Sequence, residues 1–267
     1  MHFYRKAIFA LENYGFFQLL TYVLLYPQRK VRILRIKSQI KNSESLERRF
    51  TTIYSLNLWG SHESKSGMGS NLDATTTVRS ELPVLITKFG IKSILDAPCG
   101  DFHWMKEVDL TDIRYTGADI VKPLIQDLNH KYGKENVNFI HLDLTKEVFP
   151  FADLVINRDC LFHLSFEDTG KFLKNFLDSG SSYLLSTSYS NQNLFENRNI
   201  SSGDFRLIDL FASPFNFPKQ THYQIIEKAD GALPVRNLYL WNREQILLSY
   251  NEGCLLTTDW TNFEAYI

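Results

Sequence analysis

From residue 92 onward the chain repeats one pattern: a short apolar run, an acidic turn, then a helix-like stretch. The runs end at Asp96 in SILDAPCGDF, Asp119 in YTGADI, Asp143 in FIHLDL and Asp159 in LVINRD. Strand periodicity predicts strands near 92–96, 113–119, 137–142, 153–157 and 182–188. Helices are expected near 103–109, 122–132 and 166–178. Alternation of this kind predicts a doubly wound α/β fold built on a parallel sheet, and the runs at 222–227 and 237–241 complete it as two further strands, seven in all. Four consecutive strands therefore each present an acid at their carboxyl end.

Upstream of this pattern the chain is helical in character. A first helix ends at Pro27 and a second region runs over about 43–59. The polar, glycine-rich SHESKSGMGS then forms a loop, and Asn71 or Asp73 is positioned to cap a helix reaching Phe89. We expect an N-terminal helical extension over residues 1–60, a main domain over 61–250 and a C-terminal tail, 251–267, packed on that domain. The stretch 189–220 is a long aromatic insertion, and connections of that length usually form binding walls or lids.

Charge is unevenly shared. The formal net charge is −1, yet residues 1–41 hold eight Lys and Arg against the single acid Glu12, which leaves the remainder at −8. An acidic body is poorly suited to neutralising a phosphate backbone, so no nucleic-acid partner is expected. The apolar run at 14–26 spans 13 residues, short of the roughly 20 a membrane-crossing helix needs, and no small-residue cleavage site follows it. Two readings of the basic arm stand: a helix packed against the body or a partner, and peripheral contact with a membrane through residues 1–41. Cys99, Cys160 and Cys254 lack metal-ligand or CxxC spacing and read as free thiols of a cytoplasmic protein.

In a doubly wound sheet, ligands bind outside the carboxyl ends of the strands, where the four acids converge. A dinucleotide would lay its pyrophosphate on the first turn, but that turn carries one glycine and two acids, Asp96 and Asp101, which repel it. S-adenosylmethionine (SAM) has no phosphate and bears an ammonium and a sulfonium. The same acids attract it: Asp119 is placed to accept the ribose hydroxyls and Asp143 the adenine amine.

The ordered set ILDAPCGDF, GADI, FIHLDL and DLVINRDCLFHLS resembles the class I SAM-dependent methyltransferases over roughly residues 50–250. DAPCGDF with RDCLFHLS and GDFRLIDLF…PFNFP is similar to a bacterial group associated with surface-polysaccharide and other glycan modification. The resemblance implies SAM as cofactor, methyl transfer, and a hydroxyl of a sugar, glycan or other small polar acceptor as target. It assigns cofactor contacts to Asp96, Ala97, Pro98, Gly100 and Asp101 in the first turn, to Asp119 and Ile120, to Asp143 and Leu144, to Arg158, and to Ser66 and Gly67 of the loop. The family's D/E-x-G-x-G-x-G is kept at Asp96 and Gly100 alone, Pro98 and Phe102 replacing two glycines.

After the fourth strand, NRDCLFH offers His163 as general base, Asp159 to orient it and Arg158 to clamp an anion. Alternatives stand beside these. His163 also fits a packing or capping role, Arg158 fits an ion pair with a strand-end acid, and the SKSGMGS loop fits an inert linker. Asp204 and Arg206 are lesser candidates for substrate contact, and Phe102 and Trp104 fit packing beneath the cofactor. No set of oxygen ligands at recognisable spacing accompanies Asp159, so no metal is expected. A non-catalytic subunit that recruits a partner or membrane through its arm is the competing function.

Overall fold

The structure is a computed structural model. It describes residue 31 and residues 34–36, 38–40, 42–191, 194–227 and 234–252. The chain divides into two compact units, residues 1–44 and 45–267. In the first, the described residues up to 40 are helical. The expected helix before Pro27 and the apolar run at 14–26 lie outside the described residues, as does the tail from 253. Among the described residues, no helix is long and apolar enough to cross a membrane.

The second unit is built on a seven-stranded sheet. Its strands are β1 (Ser93–Asp96), β2 (Arg114–Asp119), β3 (Val137–His141), β4 (Leu154–Asn157), β5 (Tyr183–Tyr189), β6 (Tyr223–Ile226) and β7 (Arg236–Asn242). They lie in the order β3-β2-β1-β4-β5-β7-β6. β1 to β5 pair in parallel, whereas β7 runs antiparallel to both β5 and β6. The sheet is therefore mixed and not wholly parallel. The link from β6 to β7 is too short for a crossover helix, so the two can join only as an antiparallel pair.

Among the described residues this unit holds five helices: α1 (Leu46–Ser55), α2 (Thr76–Phe89), α3 (Lys122–Tyr132), α4 (Phe166–Asp178) and α5 (Arg243–Glu252). Local chemistry sets their ends. Ser45 and Ser165 accept the Arg48 and Asp168 N–H groups as N-caps of α1 and α4, Pro123 stands in the first turn of α3, and Gly90 closes α2 in the left-handed region. Asn71 does not cap α2. Its Oδ1 accepts the Ser61 hydroxyl at 2.7 Å, and Thr75 takes the cap position one turn later. The helix expected at 103–109 is reduced to a 3₁₀ turn, Met105–Glu107. Left-handed backbone at Gly100 and Phe102 (φ 55° and 59°) swings the chain away from a helical path and seats Phe102 between Tyr115, Tyr132 and Phe139.

Apolar layers cover both faces of the sheet. Ile94, Leu154 and Ile156 face one layer with Leu82 and Leu85 of α2, while Leu95, Val155 and Leu184 face the other with Phe172 and Phe176 of α4. Burial on both faces explains why the central strands read as unbroken apolar runs. Polar chemistry is left to their ends.

Candidate active site

A cleft opens at the carboxyl ends of β1, β2 and β4 and encloses about 980 Å³, counting its solvent-open part. Of the residues expected to hold the cofactor, Ser66, Pro98, Gly100, Asp119, Ile120, Asp143, Leu144 and Arg158 line it. Asp96, Ala97, Asp101 and Gly67 are not among its lining residues.

The first turn is tied into the sheet by the Ala97 N–H on the Ile156 carbonyl and the Cys99 N–H on the Ala118 carbonyl, both at 2.8 Å. Asp96 is 2% exposed and receives the Tyr115 hydroxyl at 2.7 Å; burial pushes its carboxyl up to about 7. Gly100, at φ 55°, lies so close to Ser66 that a Cβ there would overlap the Ser66 hydroxyl. The left-handed turn therefore needs a glycine here both for its φ and for the space that Ser66 takes. Asp101 turns toward that loop as well. Its oxygens accept the Ser64 hydroxyl at 2.9 Å, the Lys65 N–H at 2.8 Å and the Ser66 hydroxyl at 3.1 Å. The SKSGMGS segment is thus clamped to the β1 turn through Ser64, Lys65 and Ser66.

Asp119 accepts the Gly100 N–H at 3.2 Å and the Val121 N–H at 2.9 Å, while desolvation raises its carboxyl to about 6. Asp143 lies two residues beyond β3. One oxygen accepts the Thr145 N–H and hydroxyl at 3.0 and 2.7 Å, and the other pairs with Lys146 at 3.1 Å.

Arg158 is held in a ring of four charges. Its Nε and Nη2 donate to Glu227 at 2.8 and 2.7 Å, and its Nη1 lies 3.1 Å from Asp159. Arg236 closes the ring, reaching the same Asp159 oxygen at 3.1 Å and Glu227 at 2.9 Å. Arg158 Nη2 also donates to the Gly69 carbonyl at 2.8 Å. The ion-pair reading of Arg158 therefore describes its contacts, and its main partner is Glu227, a residue the strand-end pattern does not reveal.

His163 sits on the 3₁₀ turn Leu161–His163 after β4 and faces the cleft. Its Nδ1 lies 2.7 Å from the Asp204 carbonyl. A carbonyl can only accept, so Nδ1 carries the proton and Nε2 keeps a free lone pair. Burial holds the imidazole below its ordinary pKa. Asp159 does not orient it, because the Asp159 oxygens are engaged by Arg158, Arg236 and Thr187. The orienting acceptor is a backbone carbonyl of the insertion. Trp59 and Phe205 flank the ring, with centroids 5.6 and 5.9 Å away.

Leu46, Phe50 and Tyr54 of α1 also line the cleft, together with Trp59. Their spacing of four residues makes one helical stripe, a signal present in the sequence but assigned there to the extension ending at residue 60. The compact unit instead begins at Ser45 and includes that stripe.

No known family model matches this chain, and no curated protein is similar to it in sequence. Solved structures do match. A SAM-dependent methyltransferase from Leishmania major aligns at 12% identity over 73% of this chain and 84% of its own, with a TM-score of 0.54. The fold is that of a class I methyltransferase. Human N-acetylserotonin methyltransferase, in complex with SAM, aligns at 15% identity over 71% of this chain and 58% of its own, TM-score 0.49. Magnesium protoporphyrin IX methyltransferase from Synechocystis, with bound SAH, aligns at 10% over 71% and 93%, TM-score 0.48.

Proposed function

We propose that this chain transfers a methyl group from SAM to a hydroxyl of a small polar acceptor, with sugars and glycans as the first class to test. The carrying observation is one cleft lined by three strand-end carboxylates, Asp119, Asp143 and Asp159, and by His163, whose Nδ1 meets the Asp204 carbonyl and whose Nε2 has no partner among the described residues. The residues suit the cofactor. Asp119 offers acceptor oxygens to ribose hydroxyls, Asp143 and the adjoining turn to the adenine edge, and Leu144 and Tyr54 apolar walls. When bound, SAM supplies an electrophilic sulfonium methyl. His163 Nε2 takes the proton of the acceptor hydroxyl as it attacks, and Trp59 and Phe205 hold the ring in place. The neutral four-charge ring supports the loop carrying Gly69, and Arg158 acts through it. The glycan preference rests on the sequence resemblance. Cytoplasmic placement and contact of residues 1–41 with a membrane stay part of this proposal.

Titration with SAM and with its demethylated product SAH in a calorimeter tests the foundation; absence of binding at millimolar ligand overturns it. With labelled SAM and glycan or nucleotide-sugar extracts, label is expected in the saccharide fraction. His163→Gln should lower turnover by about 10²–10⁴-fold with SAH binding unchanged. Turnover unaffected by that change would remove His163 as base, and an inert wild-type protein that still binds SAM would favour the non-catalytic reading.

A further inference from the structure

The insertion between β5 and β6 is clasped onto the turn that carries His163. The Gly203 N–H donates to the His163 carbonyl at 2.7 Å, the Arg206 N–H donates to the Phe162 carbonyl at 3.1 Å, and His163 Nδ1–H answers to the Asp204 carbonyl. Ser202 anchors the near end, its hydroxyl accepting the Ser165 N–H at 2.8 Å and donating to Asp168.

At the far end stands Arg206, which is fully buried. Its Nη2 donates to the Leu161 carbonyl at 3.2 Å and lies 3.4 Å from the Thr169 hydroxyl, and its Nη1 donates to the Arg198 carbonyl at 3.2 Å. The guanidinium rests against Phe166 at 4.6 Å. No carboxylate pairs with it among the described residues, and its Nε has no hydrogen-bond partner. A buried cation without a counter-ion is unfavourable for stability alone, since an apolar side chain of similar size avoids the desolvation. What an apolar side chain cannot do is bridge the Leu161 and Arg198 carbonyls, one on the turn of His163 and one on the insertion.

We propose that Arg206 is a positioning residue: it locks the 202–206 segment to the Leu161–His163 turn, so that the Asp204 carbonyl selects the Nδ1–H form of His163 and Nε2 is presented to the cleft. The proposal rests on the reading of His163 as the base and replaces substrate contact as the role of Arg206. The charged groups facing the imidazole are Asp159 from the end of β4, and Asp204 and Arg206 from the insertion. Asp159 is already matched by Arg158 and Arg236, while the Arg206 cation works with burial against protonation of the ring.

Long-range ¹H–¹⁵N spectra of the full chain, with His163→Gln to assign the signal, read tautomer and titration midpoint without any acceptor. The wild type should show a protonated Nδ1 and a midpoint below the ordinary value of about 6.5. Arg206→Met should average the two tautomers and raise the midpoint by about half a pH unit or more. Arg206→Lys and Ser202→Ala, which keep the charge and loosen the clasp, should average the tautomers with a smaller rise. A protonated Nε2 in the wild type overturns the proposal. So does an unchanged tautomer in folded Arg206→Met, or, if that variant does not fold, in both Arg206→Lys and Ser202→Ala. Calorimetry with SAH on the same samples separates the two levels: wild-type protein that fails to bind SAH overturns the cofactor reading and leaves the clasp to be judged by its spectra.

Discussion

Asp96 and Asp119 show how burial sets the chemistry of single residues at this site. Desolvation raises the first to about 7 and the second to about 6, and the hydrogen bonds from Tyr115, Gly100 and Val121 only partly offset it. A carboxyl raised in the fold keeps a proton that the unfolded chain has lost, so between pH ~4 and ~7 the native state binds more protons. Stability contributed by these two groups is therefore expected to fall as pH rises through that window and to level off above it. Ligand binding should run the other way, because ribose hydroxyls donate best to an ionised Asp119. SAH affinity is expected to increase from pH 5.5 to 7.5 with release of protons, seen in calorimetry as a dependence on buffer ionisation enthalpy. Asp119→Asn should abolish that dependence and weaken binding by about 1.5–3 kcal/mol. The acids themselves were legible because each ends an apolar run; their altered proton affinity was not, since it comes from neighbours brought in by packing.

At the scale of elements, the loop between α1 and α2 and the β1 turn act as one unit through Asp101. Asp101→Ala leaves the Ser64 and Ser66 hydroxyls and the Lys65 N–H without their acceptor. The loop should become the preferred site of limited proteolysis, and SAH affinity should fall by about tenfold, equivalent to roughly 1.4 kcal/mol, with a small change in Tm. Legibility differs from element to element for physical reasons. α3 and α4 carry local start signals in Pro123 and Ser165, and the structure forms them close to the expected ranges. The stretch after β1 has helical composition, yet left-handed backbone at Gly100 and Phe102 diverts it. α1 was visible as a helix, but a stripe of Leu46, Phe50 and Tyr54 does not by itself say which surface it covers.

For the molecule as a whole, the ring of Arg158, Glu227, Arg236 and Asp159 joins the end of β4 to the β6–β7 pair and to the loop bearing Gly69. Removing Glu227 would leave the buried Arg158 and the half-buried Arg236 facing one acid. Glu227→Ala is expected to destabilise the fold by about 3–5 kcal/mol in urea unfolding. The double variant Arg158→Met with Glu227→Met should recover most of that loss, since both charges then leave the interior together. A Glu227→Ala variant within 1 kcal/mol of wild type would mean the ring contributes little.

By itself the sequence determined the α/β class, the central strands and the acids at their ends, because periodicity and turn chemistry are local and survive reading one window at a time. Only the tertiary structure decided the antiparallel place of β7 and which side chains face one another. Arg158 meets Glu227 69 residues away, and His163 meets the Asp204 carbonyl 41 residues away. Such pairings follow from how the sheet brings distant segments together, which no local pattern encodes. The same physics turned Asp101 toward the loop and His163 Nδ1 toward the Asp204 carbonyl.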